Sequence, residues 1–206
     1  MEYGRAVKFP LKSEGWVSKV LIGVVVSLVP ILNWAVYGYG IEVMRRVALG
    51  EGDELPRWDR LGRYLARGVA LTVAGFLYLL PGLLLFALLA LAGGDQSLLP
   101  VGLAVYVLYS LVLVFVLPMA SVRYAITDRW FTMFDFGWVL SEAGRNLLTL
   151  VAVFVIWMIV SLVLMILGMI VFGIGALFAS FWSIMMISHL LGQVGRRSLM
   201  RASAQA

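Results

Sequence analysis

Four long apolar stretches dominate the pattern of hydrophobic and polar positions along this 206-residue chain. None contains Asp, Glu, Lys or Arg, and they run from Val69 to Ala92, from Leu98 to Val122, from Leu147 to Val171 and from Gly173 to Val194. A helix of about 20 apolar residues is long enough to cross the roughly 30 Å hydrocarbon core of a bilayer. Each stretch is therefore predicted to be a transmembrane helix. Because the links at 93–97 and 172–175 are short, the four helices are predicted to form two transmembrane hairpins.

A fifth apolar segment, within residues 17–48, is interrupted near its middle by Pro30 and Asn33. Proline removes a backbone donor and clashes with the preceding turn, and asparagine favours turns and is costly in lipid. Two legs of about 13 residues would each rise roughly 20 Å, which suits a re-entrant or bent helical hairpin; a single crossing by Val20–Val43 is the alternative. In a hairpin, the non-helical backbone is expected to be buried by protein or water, because lipid cannot satisfy it.

The positions of the 16 Lys and Arg residues favour the hairpin over the single crossing. They form four clusters: Arg5, Lys8, Lys12 and Lys19; Arg45, Arg46, Arg57, Arg60, Arg63 and Arg67; Arg123, Arg129 and Arg145; Arg196, Arg197 and Arg201. A single crossing would put the first cluster opposite the others, whereas a hairpin places every cluster on one side. Lys and Arg in short loops favour the cytoplasmic side of a membrane. Both termini, residues 1–15 and 195–206, are therefore predicted to be cytoplasmic, with Asp95 outside.

Two amphipathic segments, 53–67 and 130–146, precede the transmembrane pairs and are predicted to be helices in the cytoplasmic interface. In the first, an apolar face is formed by Leu55, Trp58, Leu61, Tyr64 and Leu65, and a basic face by Arg57, Arg60, Arg63 and Arg67. Asp59 and Arg63 are spaced for an i,i+4 ion pair. The second segment is rich in the aromatic side chains typical of headgroup depth, namely Trp130, Phe131, Phe134, Phe136 and Trp138.

The amphipathic segments have two interpretations. They are passive membrane anchors, or their basic and aromatic side chains bind the headgroups of anionic lipids. The second interpretation makes lipid-binding residues of Arg57, Arg60, Arg63, Arg67, Trp58 and Trp138.

Composition agrees with a membrane protein and excludes several kinds of chemistry. The chain is 63% hydrophobic and 13% charged, with a mean hydropathy of +1.00, whereas soluble domains are about half apolar and about a quarter charged. It has no cysteine and a single histidine, so no metal site or cofactor is expected. The net charge of +5 comes from basic residues scattered at the ends of apolar segments, so nucleic acid is not an expected partner. The N-terminus lacks a signal-peptide pattern, and we expect residue 1 to be retained.

Polar residues within the apolar segments are the remaining candidates for chemistry. Ser188 and His189 lie near the cytoplasmic end of the last predicted span, but no span contains the Asp or Glu that a proton relay needs. A histidine hydrogen-bonded to a neighbouring helix is the simpler interpretation. Glu42 is spaced for an ion pair with Arg45 or Arg46 within one helix. Nucleotide-binding, hydrolase and metalloprotease motifs are missing, so the chain is not expected to be an enzyme.

Four motifs spread over nearly the whole chain carry a resemblance to a known family. They read GWVSKVLIGVVVSLVPILNWAVYGYGIEVMRRV, LPRWDRLGRYLARGVALTVAGFLYLLPG, LPMASVRYAITDRW and SHLLGQ. With them the chain resembles the domain-of-unknown-function family 4013, a group of small prokaryotic multi-pass membrane proteins. The resemblance implies a location in the inner membrane of a prokaryotic cell, and it implies no catalytic residue.

The predicted fold is an all-α integral membrane helix bundle that forms a single membrane domain, residues 1–206. It combines a re-entrant or bent N-terminal hairpin with two transmembrane hairpins and two cytoplasmic interfacial amphipathic helices. The function that this fold favours is that of a non-catalytic membrane component. Its expected partners are membrane lipids, with anionic lipids as one alternative, a partner membrane protein or further copies of the same chain.

A small uncoupled transporter or channel is the alternative function. Such a protein would alternate around the turn at Pro30–Asn33 and around Pro81 and Pro118, since proline can kink a helix. A cavity lined by Asn33, Ser188 and His189 would favour this alternative. The absence of charged residues within the predicted spans argues against coupling to ions or protons.

Overall fold

The structure, a computed structural model, describes residues 2–52, 54–92, 98–170 and 174–204. These ranges contain eight α-helices and no strand: α1 Tyr3–Lys8, α2 Trp16–Leu28, α3 Asn33–Leu49, α4 Leu61–Ala92, α5 Leu99–Thr127, α6 Phe136–Arg145, α7 Leu147–Ile170 and α8 Ile174–Ser203. Short 3-10 turns occur at Phe9–Lys12, Trp58–Arg60 and Trp130–Phe134. The predicted all-α helix bundle is confirmed, and the prediction for Asp95 lies outside the described residues.

Four of the described helices, α4, α5, α7 and α8, are long and apolar enough to cross a membrane. They pack as two antiparallel pairs, α4 with α5 and α7 with α8. Large apolar side chains point outward from the bundle; on α7, for example, Leu148 is 85% exposed and Leu162 is 60% exposed. An apolar surface of this extent is unfavourable in water and favourable against acyl chains. The chain is therefore a multi-pass membrane protein.

Residues 17–48 form a helical hairpin, in which α2 and α3 are joined by a turn at 29–32. The two ends of the hairpin meet, because Lys19 Nζ donates to the Leu55 carbonyl oxygen at 2.9 Å and Trp58 Nε1 donates to the Lys19 carbonyl oxygen at 2.9 Å. A single crossing would have separated them. The 13 residues of α2 and 17 residues of α3 correspond to about 20 and about 26 Å, so each leg is shorter than a hydrocarbon core.

The turn between α2 and α3 is exposed, so the protein itself does not bury it, and contact with water stays the predicted alternative. Pro30 is exposed, Ile31 is 64% exposed and Asn33 is half-buried. Local hydrogen bonds satisfy part of its backbone: Asn33 N donates to the Val29 carbonyl oxygen at 2.8 Å, and Val29 N donates to the Val26 carbonyl oxygen at 3.3 Å. Proline has no N–H to satisfy. The turn therefore needs less burial than its sequence suggests.

The predicted boundary between an interfacial helix at 53–67 and a span at 69–92 is absent. After the 3-10 turn at Trp58–Arg60, α4 continues unbroken through Gly68 and Pro81. Its 32 residues correspond to about 48 Å, which exceeds the thickness of a hydrocarbon core. Arg63 and Arg67 therefore lie in the first turns of a spanning helix, whereas Arg60 ends the 3-10 turn and Arg57 precedes it.

The second amphipathic segment, 130–146, differs because it is divided into separate elements. Asp135 ends the 3-10 turn and caps α6, since its carboxylate accepts from Trp138 N at 3.3 Å. Asn146 separates α6 from α7, and its Nδ2 donates back to the Glu142 carbonyl oxygen at 2.8 Å. Polar side chains that bond to nearby backbone thus interrupt the helix in this segment, whereas α4 runs on from the first amphipathic segment without interruption.

Helix α3 packs closely between α4 and α8. A Cβ atom on Gly38 would collide with the Tyr64 carbonyl oxygen of α4, and one on Gly68 would collide with the Trp34 carbonyl oxygen of α3. On its other side α3 lies against Gly192 of α8. Small residues allow such close approach of helix backbones in membranes. The polar side chains of α3 are thereby brought within reach of the first turns of α4.

The ends of α3, α5 and α8 and the start of α4 meet at one end of the bundle, which we call the charged end. Gly195 of α8 lies against Ala48 of α3. Arg45 Nη1 of α3 donates at 3.1 Å to two carbonyl oxygens at the end of α5. The N-terminal segment reaches the same end, since Glu2 N donates to Gln193 Oε1 at 2.9 Å. The charged end comprises residues 42–52, 54–67, 123–146 and 193–204.

Candidate functional site

Arg67 and its carboxylate partners form a closely connected group at the charged end. Arg67 Nη1 pairs with Glu42 of α3, and its Nη2 lies 2.5 Å from Asp128 Oδ1, just after α5. Arg46 Nε lies 3.3 Å from Glu42 Oε1, and Arg63 Nη2 lies 2.6 Å from Asp128 Oδ2. We call these five residues the paired cluster. Because only 4% of the Arg67 side chain is exposed, its charge is balanced by protein carboxylates and hardly by water.

Local structure places the carboxylates of the paired cluster. Asp128 caps the C-terminus of α5 with a left-handed backbone, φ 56°, and its N–H donates to the Tyr124 carbonyl oxygen at 2.9 Å. Asp is one of the few residues that adopts this conformation readily. Burial alone would raise the pKa of Glu42 and of Asp128, but the hydrogen bonds and charge of Arg67 outweigh it and lower both pKa values. Both carboxylates are therefore ionised at neutral pH.

A polar pocket with a volume of about 150 Å³ lies beside the paired cluster. We call it the basic pocket, and its lining residues are Lys19, Glu42, Arg46, Glu54, Leu55, Arg57, Asp59, Arg60 and Tyr64. Glu42 and Arg46 belong to both groups, so the paired cluster forms one wall of the basic pocket. Most of the other lining residues belong to the loop that follows α3 and to the 3-10 turn that leads into α4.

Side-chain hydrogen bonds hold the loop wall of the basic pocket in place. Tyr39 Oη donates to the Pro56 carbonyl oxygen at 2.7 Å, and the Tyr39 ring stacks on Trp58 with 4.2 Å between the ring centroids. Tyr64 Oη donates to the Arg57 carbonyl oxygen at 2.7 Å. The loop is thus anchored to α3 on one side and to α4 on the other. This anchoring pre-forms the pocket before any ligand enters.

The exposed charges of the basic pocket have no ion-pair partner among the described residues. Arg57, Arg60, Glu54 and Asp59 are all exposed, and none lies within 4.0 Å of an opposite charge on another described residue. Lys19 uses its ammonium group to bond the backbone of the loop. Charges of both signs therefore face the same small space and are open to a charged group from outside.

The four arginines predicted to bind lipid divide between these two regions. Arg57 and Arg60 line the basic pocket, whereas Arg63 and Arg67 belong to the paired cluster. The guanidinium of Arg67 is buried and bound by two carboxylates, so its contacts do not support a lipid-binding role, and that role stays a prediction. Arg63 is partly exposed but also engaged by one of these carboxylates. Helical spacing placed the four side chains on one basic face, and partners from other helices separated them.

Of the two ion pairs expected within helices, one is formed and one is not. The pair Glu42–Arg46 is confirmed, at 3.3 Å. The pair Asp59–Arg63 is wrong, because Arg63 binds Asp128 at 2.6 Å. Asp59 thereby remains open to the basic pocket.

The two predicted tryptophans are half-buried and have partners within the protein. Trp58 stacks on Tyr39 and forms its indole hydrogen bond with the Lys19 carbonyl oxygen. Trp138 lies beneath the Arg123 guanidinium, 4.8 Å from the ring centroid. Both tryptophans therefore pack against other residues of the charged end, and their contact with lipid stays a prediction.

Several residues of these two regions were not among the predicted site residues, and Lys19, Arg46, Glu54 and Asp128 are examples. The spacing of Arg46 from Glu42 in the sequence predicted an ion pair, but it gave no indication of a pocket. Lys19 and Asp128 come from distant parts of the chain, and nothing in their neighbouring residues indicates where the fold brings them.

A second buried carboxylate, Glu142 of α6, also lacks a counterpart among the predicted site residues. It accepts from Ser198 Oγ at 2.5 Å and from Asn146 Nδ2 at 3.0 Å, and Arg201 Nη2 and Arg145 Nη1 each lie 3.2 Å away. Burial alone would raise the pKa of Glu142, but these hydrogen bonds and the charge of Arg201 lower it. The group ties α6 to α8, so it is a packing element.

The predicted intramembrane polar residues lie inside helix contacts. Ser188 faces Gly40 of α3. His189 is buried, its ring centroid lies 4.6 Å from that of Phe9, and its Nδ1 lies 3.2 Å from Gln193 Nε2. Neither the basic pocket nor an apolar cavity beside α4 and α5 is lined by Ser188 or His189. The transport alternative therefore stays a prediction without a supporting contact.

A second cavity, of about 220 Å³, opens on the side of α4 and α5 and is almost wholly apolar. Its lining residues are Leu71, Ala74, Gly75, Tyr78, Leu117, Ala120 and Met133. Tyr78 closes it with a hydrogen bond from its Oη to the Met133 carbonyl oxygen at 2.5 Å. With no charged group in its lining, this cavity lacks the chemistry of the basic pocket.

Comparison with known proteins places the chain in a family but offers no characterised relative. No curated protein and no solved structure matches it. Residues 22–173 match a family described as "Protein of unknown function (DUF4013)". This stretch includes the whole paired cluster and every lining residue of the basic pocket except Lys19. Since the match covers more than half of the chain, the protein belongs to the DUF4013 family, as its motifs predicted.

Proposed function

We propose that the protein is a non-catalytic membrane component that binds the phosphate-bearing headgroup of a membrane lipid in the basic pocket. One observation carries the proposal: Arg57 and Arg60 are exposed, face a pre-formed pocket and have no ion-pair partner among the described residues. Arginine presents a planar fork of donors that matches phosphate geometry. A membrane protein that leaves such groups free at its charged end offers them to the nearest abundant phosphate, which is that of the lipid.

The start of α4 adds to the attraction of the pocket for phosphate. The 3-10 turn that leads into this helix contributes Asp59 and Arg60 to the lining, and Tyr64 lies in its first turns. The N-terminal end of a helix carries a partial positive charge and unsatisfied N–H groups, which favour a bound anion. The arginines and the helix dipole therefore favour the same kind of ligand.

The charged end is assigned to the cytoplasmic side of a prokaryotic inner membrane in this proposal. The support is the Lys/Arg asymmetry of the sequence, together with the contacts that gather the basic clusters of α3, α4 and α8 at one end of the bundle. A cysteine introduced at Glu14 or Ser203 of this cysteine-free chain, both of which are exposed, tests the orientation. Labelling of either cysteine by an impermeant reagent from outside intact cells would contradict it.

Native mass spectrometry of the protein extracted gently from its own membrane tests the proposed ligand. The wild-type protein is expected to retain phospholipid, and the double variant Arg57→Gln, Arg60→Gln is expected to lose most of it. The matched control is Arg196→Gln, Arg197→Gln, which removes two exposed basic residues of α8 outside the pocket and is expected to retain the lipid.

Two outcomes would contradict the lipid proposal. Equal phospholipid retention by both double variants would remove the basic pocket as the binding site. A second protein present in stoichiometric amount, and lost from the Arg57, Arg60 variant, would make the pocket a protein-binding site instead.

A further inference from the structure

We infer that the basic pocket selects a headgroup that carries a primary ammonium as well as a phosphate, the chemistry of phosphatidylethanolamine. The inference rests on the proposed function and names its ligand class. It starts from the two carboxylates, Glu54 and Asp59, which line the pocket together with its arginines. A pocket that served only an anion would gain nothing from two unneutralised carboxylates in its wall.

The acidic residues of the pocket do not have equivalent roles. Glu42 is already occupied, because it pairs with Arg67 and Arg46. Glu54 and Asp59 are exposed and pair with no described residue. The pocket therefore has one acidic residue that is already paired and two that are not. Only the two unpaired carboxylates are free to accept hydrogen bonds from a ligand.

A ligand that fits the pocket is expected to carry charges opposite to the pocket's unpaired charges, which are of both signs. Arg57 and Arg60 are suited to a phosphate, and Glu54 and Asp59 are suited to a cation held in the same space. A primary ammonium has three N–H donors and binds carboxylates by charge-assisted hydrogen bonds. A quaternary ammonium has no N–H, and a glycerol headgroup has no positive charge, so both would leave the carboxylates without a strong partner.

The size of the pocket agrees with a small zwitterion. Its volume of about 150 Å³ corresponds to roughly five water molecules at about 30 Å³ each. A phosphate joined to an ammonium by a two-carbon linker fits such a space. Lys19 closes the side next to the hairpin, since its ammonium is bonded to the Leu55 carbonyl oxygen.

The test is a lipid titration of the purified full-length protein in mild detergent, read by native mass spectrometry. The probes are phosphatidylethanolamine, phosphatidylglycerol and phosphatidylcholine with identical acyl chains. We expect phosphatidylethanolamine to bind about three- to fivefold more tightly than the other two lipids, a difference that corresponds to the energy of an exposed ion pair.

In the variant Glu54→Gln, Asp59→Asn this preference for phosphatidylethanolamine is expected to disappear while binding of phosphatidylglycerol is kept. Glu14→Gln, Glu51→Gln, which alters two exposed carboxylates outside the pocket, is the matched control and is expected to keep the preference.

The outcomes separate this inference from the proposed function. If phosphatidylglycerol binds as tightly as phosphatidylethanolamine in the wild type, and Arg57→Gln, Arg60→Gln weakens both, the headgroup site stands and the ammonium selectivity is overturned. If the arginine variant weakens neither lipid, both proposals fail. Soluble phosphoethanolamine is the last probe: displacement of the lipid at equal concentration would make a free phosphoester the ligand and overturn the lipid assignment. Thermal unfolding of each variant, matched to the wild type, verifies that it is folded.

Discussion

The paired cluster and the basic pocket lie side by side at the charged end, yet the arginines of one are paired with carboxylates and two arginines of the other are exposed and unpaired. In the paired cluster, Arg67 is 4% exposed and two carboxylates from other elements bind it. In the basic pocket, Arg57 and Arg60 are exposed and unpaired among the described residues. The difference teaches that a basic face on one segment can serve two purposes. Where neighbouring helices supply carboxylates, the arginines stabilise the bundle; where they do not, the arginines remain open to a ligand.

Removal of the buried arginine is expected to have the largest effect on this comparison. Arg67→Ala would remove the main partner of Glu42 and of Asp128, which would keep only Arg46 and Arg63. Because these pairs remain and Asp128 is 35% exposed, we expect a loss near the lower end of the roughly 3–5 kcal/mol that breaking a buried ion pair costs. The free energy of unfolding in detergent, followed by tryptophan fluorescence, measures this loss. Arg60→Ala is the exposed counterpart and is expected to leave stability nearly unchanged. Equal stability of the two variants would contradict the division into a structural and an open region.

The close approach of α3 and α4 is expected to matter almost as much. Gly38→Ala places a methyl group on the Tyr64 carbonyl oxygen, which forces the helices apart and is expected to cost about 1–3 kcal/mol. Gly62→Ala is the matched control on α4, because a Cβ there meets no atom within 4 Å. It is expected to stabilise the protein by about 0.5–1 kcal/mol, the usual advantage of alanine over glycine in a helix. Thermal unfolding of both variants separates steric contact from helix propensity.

Acid is expected to weaken the ion pairs of the paired cluster. The pKa values of Glu42 and Asp128 are lowered in the folded protein, so their stabilising contribution is fully present above their ordinary pKa values of 4.5 and 3.8. It is lost as the pH falls through the lower folded values, because the unfolded chain then binds protons more readily. Melting temperatures measured between pH 7 and pH 3 are expected to drop below about pH 4.5. Glu42→Gln should show a shallower drop, and a drop identical to that of the wild type would count against this cause.

Loss of the open charges is expected to have the smallest effect on stability. Arg57→Gln, Arg60→Gln in lipid-free detergent should change the free energy of unfolding by less than about 0.5 kcal/mol, as is usual for surface substitutions. The same variant is the one expected to lose bound phospholipid. A large loss of stability without lipid would show that Arg57 and Arg60 stabilise the fold, as the arginines of the paired cluster do.

Much of the fold follows from the sequence because lipid imposes strong rules on it. Long uncharged apolar stretches indicated four membrane helices, and the interruption at Pro30 and Asn33 indicated the hairpin of α2 and α3. The boundary between the first amphipathic segment and its span could not be found in this way. Nothing in the local pattern of residues 53–69 distinguishes an interfacial helix from the first turns of a spanning helix, since both carry arginines at helical spacing.

The candidate site was predictable only as a set of residue types. Helical periodicity placed Arg57, Arg60, Arg63 and Arg67 on one face, but it contains no information about carboxylates that arrive from α3 and from the end of α5. Asp128 is 61 residues from Arg67 in sequence, and the glycine contact at Gly38 decides how closely Glu42 approaches. The assignment of each arginine therefore depended on contacts between helices.

The sequence by itself determined that this is an all-α membrane protein of the DUF4013 family, because apolar length, charge asymmetry and family motifs are properties of the linear chain. Only the tertiary structure decided which charges are paired and which are open, because burial and ion pairing arise between residues that are distant along the chain. The tertiary structure likewise brought Lys19 to the loop at Leu55 and so completed the basic pocket. A charge becomes structural or functional according to its neighbours in space, and these neighbours are set by helix packing.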